Sequence, residues 1–150
     1  MIKWQCKSFD ELSKDELYRL LALRQEVFVV EQYCPYLDVD GKDIDAHHLL
    51  VCDKDNNLLA YSRLLPKGAS YNNATSIGRI MISPKFRNKG LGRPLMEHSI
   101  KHSQRLFGNI PIRIGAQCYL IGFYEKCGFK IASEMLLEDN IPHIEMIYEF

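Results

Sequence analysis

Neither sign of charge is in excess in this chain: Lys plus Arg and Asp plus Glu number 19 each among 150 residues. That balance excludes the broad basic field that non-specific nucleic-acid binding requires. No window approaches the roughly 20 consecutive apolar residues that span a bilayer, and Met1-Ile2-Lys3-Trp4-Gln5-Cys6 lacks the apolar core of a signal peptide. The expectation is a soluble, cytoplasmic protein with neither nucleic acid nor membrane as partner. Cys6, Cys34, Cys52, Cys118 and Cys127 are odd in number, scattered, and form no Cys-x-x-Cys pair. A metal knuckle or redox dithiol is therefore not indicated, and the thiols read as reduced and mostly buried. Asn73-Ala74-Thr75 fits a glycosylation sequon, a short pattern that matters only in a secreted chain. His47-His48 suggests no metal, because successive strand residues face opposite sides and no third ligand stands at zinc-like spacing.

Apolar residues make up 47% of the chain, enough to build the core of one domain over residues 1–150. Ile2 to Cys6 alternates as a strand, and Ser13-Lys14-Asp15-Glu16 reads as a capping box that starts a helix at Lys14. Leu17, Leu20, Leu21, Arg24, Val27 and Phe28 recur at helical spacing, which predicts a helix to about Val29. From Glu31 to Asp45 no period holds, marking a long loop and a candidate substrate lid. His48 to Cys52 and Leu58 to Leu65 form a hairpin around Asp53-Lys54-Asp55-Asn56-Asn57, and a second loop runs from Pro66 to Thr75. Strands at 76–83, 112–116, 129–137 and 144–150 alternate with helices at 90–107 and 119–126. The class is α/β in the broad sense (α+β), a mixed sheet with helices packed against it.

The junction Ile82-Ser83-Pro84-Lys85-Phe86-Arg87-Asn88-Lys89-Gly90-Leu91-Gly92 places a strand and a glycine-bearing loop directly before a helix. Free amides and the helix dipole make such a place an anion site, and glycine lets a phosphate come close to the backbone. Pro94 requires the helix to begin near Gly90 or Leu91, so the free amides belong to about Asn88 to Arg93. Arg87 and Lys89 add full charges. A Walker loop would need Gly-Lys followed by Ser or Thr, and a dinucleotide fingerprint would need glycine where Leu95 stands. Both are excluded.

Arg87, Gly90 and Gly92 match the Arg/Gln-x-x-Gly-x-Gly/Ala loop of the GNAT superfamily of N-acetyltransferases. Downstream, Phe123-Tyr124-Glu125-Lys126-Cys127-Gly128-Phe129 resembles that family's short helix with its tyrosine, followed by Gly-Phe leading into the next strand. Phe28-Val29-Val30-Glu31-Gln32, Cys34-Pro35-Tyr36, Asp40-Gly41, Gly115-Ala116-Gln117 and Ile141-Pro142-His143 resemble more narrowly its ElaA-like branch, so the resemblance covers nearly the whole chain. It implies a mostly antiparallel sheet with helices on both faces, split between the strands at 77–82 and 112–116. It further implies acetyl-CoA as cofactor, its pantetheine arm lying in that split. Ile80, Met81 and Ile82 would pair with the arm; Arg87, Asn88, Lys89, Gly90, Leu91, Gly92 and Arg93 would hold the phosphates. Gln117 stands where family members often carry asparagine, and is kept as a cofactor contact.

Acetyl transfer to an amine needs a neutral nitrogen, a stabilised oxyanion and a proton for the departing thiolate, with no covalent enzyme intermediate. The resemblance gives Tyr124 the thiolate's proton, and gives a backbone amide near Met81 and Ile82 the thioester carbonyl. Glu31, Asp45, His47 and His143 lie in segments able to reach the cleft, with Glu31 and His143 the leading bases. Asp38, Asp40, Asp43 and Asp45 either attract a cationic amine or bind nothing at all; a calcium loop is excluded because the segment 49–52, where its second helix would stand, reads as strand. Cys118 and Cys127 as nucleophiles rank below direct attack. The acceptor is a small-molecule or peptide amine, and an exposed closing strand leaves pairing into a homodimer open. The competing readings are a non-catalytic acyl-CoA-binding module and an acyltransferase for a larger acyl-CoA.

Overall fold

The computed structural model describes residues 1–150. Strand β1 (Lys3–Ser8) leads to Ser13, whose hydroxyl accepts from the Glu16 amide at 3.1 Å while the Glu16 carboxylate accepts from the Ser13 amide at 2.8 Å. This reciprocal cap starts α1 (Lys14–Arg24) where the sequence predicts. The α-helix does not reach Val29: Gln25–Glu31 widens into π-helical turns. Wide turns of this kind gather near functional sites, and here they bury Val27 and deliver Glu31 and Gln32 to the cleft described below.

Strands β2 (His47–Cys52), β3 (Leu58–Leu65) and β4 (Ser76–Ile82) extend β1 into an antiparallel sheet ordered β1-β2-β3-β4. Every residue of β3 after Leu58 is buried, as in a strand covered on both faces. On one face Leu20 of α1 packs with Leu50, Tyr61 and Met81. On the other, α2 (Gly92–Phe107) sets Leu95 among Leu49, Val51 and Ala60, and Met96 and Ile100 beside Leu64 and Ile77.

The second sheet comprises β5 (Ile112–Gln117), β6 (Lys130–Ile131), β7 (Leu136–Glu138) and β8 (Ile141–Tyr148), with α3 (Ile121–Lys126) between β5 and β6. Its order is β5-β8-β6, and β7 also pairs with β8. The single strand expected over 129–137 is broken in two. The Ser133 hydroxyl accepts from the Glu145 amide at 2.9 Å, a side chain taking a place in the backbone ladder, while the Ala132 amide donates to the Glu145 carbonyl at 2.8 Å.

The sheets meet only where β4 and β5 begin. Thr75 and Ile112 form one parallel bridge, with the Thr75 amide donating to Pro111 at 3.0 Å and the Arg113 amide donating to Thr75 at 2.9 Å. Beyond it the strands diverge without further pairing, which is the split expected between 77–82 and 112–116. β4 also bulges: its register with β3 shifts between Tyr61↔Met81 and Arg63↔Gly78, and Arg79 takes φ 49°. An inserted residue bends a strand away from its neighbour.

The loop over 32–45 is fastened by buried charge rather than left as a free lid. Arg24, fully buried on α1, donates to Asp38 at 2.8 Å and Asp43 at 2.6 Å. Arg63 of β3 reaches Asp40 at 2.8 Å and Asp43 at 3.0 Å, and Arg79 in the bulge reaches Asp38 at 2.8 Å. Asp38, Asp40 and Asp43 are thus spent on arginines, which favours the second of the two readings of this acidic run. Burial pushes the Asp43 carboxyl up, but hydrogen bonds from Arg24 and Arg63 outweigh it and hold the group below the usual carboxylate range. No helix is long and apolar enough to cross a membrane.

Candidate active site

Between the parted strands lies a cleft of about 850 Å³. Gly78 to Ile82 of β4 form one wall; Ile114, Gly115 and Gln117 of β5 form the other. Arg87, Asn88 and Gly92 line it at the end of β4, while Tyr71, Glu138 and His143 also line it. The β4 edge toward this cleft carries no ladder past Thr75, so its backbone groups are available to an extended ligand.

The loop after β4 makes one 3₁₀ turn at Pro84–Phe86 and passes through left-handed Asn88 (φ 62°) and Gly90 (φ 77°). A Cβ on Gly90 would meet nothing within 4 Å, so backbone conformation and not crowding calls for glycine. No side chain caps α2, leaving its first amides for an anion. This uncapped end, beside a slot of such volume, fits a pyrophosphate carrying a long flexible arm. Lys89, Gly90, Leu91 and Arg93 do not line the cleft itself. The Lys89 ammonium lies 5.1 Å from the centre of the Phe86 ring, and Arg93 faces Glu97 at 3.7 Å on the exposed side of α2.

Arg87 is committed elsewhere than expected. Its Nε donates to the Ile82 carbonyl at 3.2 Å, and its two terminal nitrogens donate to Glu31 at 2.9 and 2.7 Å. The guanidinium therefore ties the π-helical turns to the anion loop. Those hydrogen bonds hold the Glu31 carboxyl below its usual range. A carboxylate so engaged is a poor proton acceptor, which weighs against Glu31 as base. Beside it, Gln117 of β5 donates to Gln32 at 3.4 Å, so residues 31 and 32 reach both lips of the split.

Tyr124 of α3 is 7% exposed and packs edge-on against Phe123 and Phe129 at 5.2 and 5.9 Å between ring centres. It lines the cleft, and its hydroxyl, which is not among the buried unpaired atoms, is open to that cleft. Burial pushes the phenol up to about 12, so it keeps its proton near neutrality. His143 of β8 stands opposite Gln117 in the ladder. Its Nδ1 lies 2.7 Å from the Ile141 carbonyl, and a carbonyl only accepts, so in the neutral ring Nδ1 carries the proton and Nε2 the lone pair.

Residues 12–150 match the model of the acetyltransferase (GNAT) domain. The chain belongs to the GNAT acetyltransferase family. It is 41% identical to protein ElaA of Escherichia coli K12, with 99% of this chain and 97% of that protein covered. The crystal structure of Escherichia coli ElaA matches with a TM-score of 0.91 at 40% identity, covering 99% of this chain and 100% of that one. An acyl-CoA N-acyltransferase from Pseudomonas aeruginosa matches with a TM-score of 0.92 at 44% identity, covering 99% of each chain.

In this GNAT chain the cleft gathers Ile80, Met81, Ile82, Arg87, Asn88, Gly92, Gln117, Tyr124, His143 and Glu31. Asp45 and His47 do not line it. His48 is buried inside the sheet, accepting from the Tyr61 hydroxyl at 2.6 Å and donating to the Asp43 carbonyl at 3.0 Å; burial lowers its pKa and keeps it neutral. All five cysteines are free, but only Cys34 and Cys52 are buried, fewer than expected. Burial raises the Cys127 thiol, which disfavours a thiolate nucleophile. Sequence reasoning missed Tyr71, Arg79 and Glu138. Only Glu138 had a legible signal, the turn-forming Asp139-Asn140 that follows it.

Proposed function

We propose that the chain moves an acetyl group from acetyl-CoA directly to a primary amine of a small molecule or peptide, within a ternary complex. The Tyr124 hydroxyl supports this reading above that of a non-catalytic acyl-CoA-binding module. It lines the cleft, is engaged by no protein acceptor and keeps its proton near neutrality, as a donor to a leaving thiolate must. The bound thioester supplies an activated acyl carbon and a thiolate leaving group. The free amides at the start of α2 hold its phosphates, and backbone groups of Ile80, Met81 and Ile82 hold the arm and polarise the carbonyl. His143 Nε2 takes one proton from the acceptor ammonium, freeing the nitrogen lone pair for attack. As the C–S bond breaks, Tyr124 gives its proton to sulfur; the second proton, shed by the attacking nitrogen as the amide forms, passes through water to the tyrosinate, and His143 releases the first to solvent.

The test is calorimetric titration of acetyl-CoA and CoA into the full chain, followed by thiol release on a panel of amines. Binding with release supports transfer. Binding with no release from any amine turns the assignment to the non-catalytic module, and absence of binding overturns both.

A further inference from the structure

Four carboxylates line the cleft, and their partners divide them. Glu31 is held by Arg87, and Asp40 by Arg63 and Arg79. Glu138 and Asp139 have no arginine partner. They stand at the β7–β8 hairpin, where Asp139 (φ 50°) and Asn140 (φ 64°) make a two-residue turn of the left-handed type that matches strand twist. This turn sets Glu138 opposite Ile141 and Leu136 opposite His143, so Glu138 and His143 share one face of the hairpin on a diagonal. Their closest approach is 3.9 Å, from a Glu138 oxygen to Nε2, the nitrogen with the lone pair.

Gly115 of β5 completes the pocket. A methyl placed there would meet the Tyr71 hydroxyl at 3.7 Å and the second Glu138 oxygen at 3.9 Å, ordinary contacts on two sides. Two oxygens therefore flank the bare backbone of Gly115, and with Glu138 60% exposed they stand open to a cation entering the cleft. Of the other cations, Lys42 donates to Ser70 at 2.9 Å, and Arg113, 6.0 Å from the centre of the Tyr71 ring, donates to Glu145 at 2.6 Å. Tyr124, more than nine-tenths buried and without a partner, lines the same cleft.

We propose that Glu138, with the Tyr71 hydroxyl over the bare backbone of Gly115, is the receptor for the acceptor, and that the acceptor is a primary ammonium on an aliphatic arm. The bound ammonium donates to the Glu138 carboxylate and to Tyr71, within reach of His143 Nε2. Glu138 thus takes an acceptor-side role for which Glu31, held by Arg87, is less fit. The inference rests on the acetyl-transfer reading for what becomes of the amine, but not for its binding.

The test separates the two. n-Pentylamine, an ammonium ion at neutral pH, is titrated into the full chain with and without CoA, following the backbone amide shifts of Gly115 and Glu138. Saturable shifts are expected, weakened about tenfold by Glu138→Gln and less by Glu138→Asp. Gly115→Ala, which meets only ordinary contacts and so preserves the fold, is expected to weaken them, its methyl standing within 4 Å of both oxygens. The uncharged n-pentanol is expected not to bind. Equal binding of n-pentanol, no binding of the amine, or indifference to Glu138→Gln overturns the proposal. Amine binding without acetyl-CoA binding would leave this site standing and sink the transfer reaction; the converse would do the reverse.

Discussion

Tyr124 and Glu31 carry opposite expectations for turnover, though both line one cleft. With Tyr124→Phe the ring packing against Phe123 and Phe129 survives and only the proton is lost. Turnover should fall roughly 10²-fold or more while the acetyl-CoA dissociation constant holds, as steady-state rates and calorimetry on the same preparation would read. An unchanged rate would strike Tyr124 from the mechanism. Glu31→Gln removes a half-exposed ion pair of modest strength, about 1 kcal/mol or less. Its turnover should stay within a few-fold of the parent, whereas loss of a general base would cost at least 10²-fold. The sequence offered Glu31 and His143 as equals. Sequence order does not say which carboxylate an arginine 56 positions away will hold, and that contact weighs against Glu31.

The anion loop and the β6–α3 junction were legible as elements because local rules fix them. Gly90 lies at φ 77° before an uncapped helix. Gly90→Asp would impose both a strained backbone and a carboxylate beside the amides that receive phosphate, and should abolish CoA binding by calorimetry while far-ultraviolet circular dichroism stays native. Gly128 ends α3 at φ 101°, and a Cβ there would come within 2.9 Å of the Tyr148 ring. Gly128→Ala combines left-handed strain with a clash against a packed aromatic, so urea unfolding should show a loss of about 1–3 kcal/mol. The π-helical turns and the divided strand over 130–138 were not legible. One departs from helical period by a single wide turn, and the other depends on Ser133 meeting Glu145 across the sheet.

At the scale of the molecule, the arginine–aspartate lattice joins α1, β3, the β4 bulge and the long loop, so its loss should be felt globally. Asp43→Asn leaves Arg24 and Arg63 short of a buried partner, at a cost of about 3–5 kcal/mol and a melting temperature lower by roughly 10 °C. Acid should weaken the fold in two stages. The folded-state pKa of His48 lies below its ordinary 6.5, so its stabilisation is complete above that value and is lost as pH falls toward the folded value. Asp40 and Asp43 are likewise depressed from 3.8; their contribution is present above that pH and is lost as pH falls through the folded values. Melting temperatures across this range should decline first below pH 6.5, and His48→Gln should flatten that first decline.

The sequence by itself determined the capped start of α1, the β2–β3 hairpin, the glycine-bearing loop before α2 and the tyrosine of α3. Each depends on neighbours within a few residues, where propensity, capping and glycine conformation act. Only the tertiary structure decided which charges are free. Arg24 and Asp43 are 19 residues apart, Arg87 and Glu31 56, and Gly115 is set beneath Glu138 by two strands and a turn. A carboxylate is a base, a brace or an amine receptor according to its partner, and in this protein the partners come from distant parts of the chain.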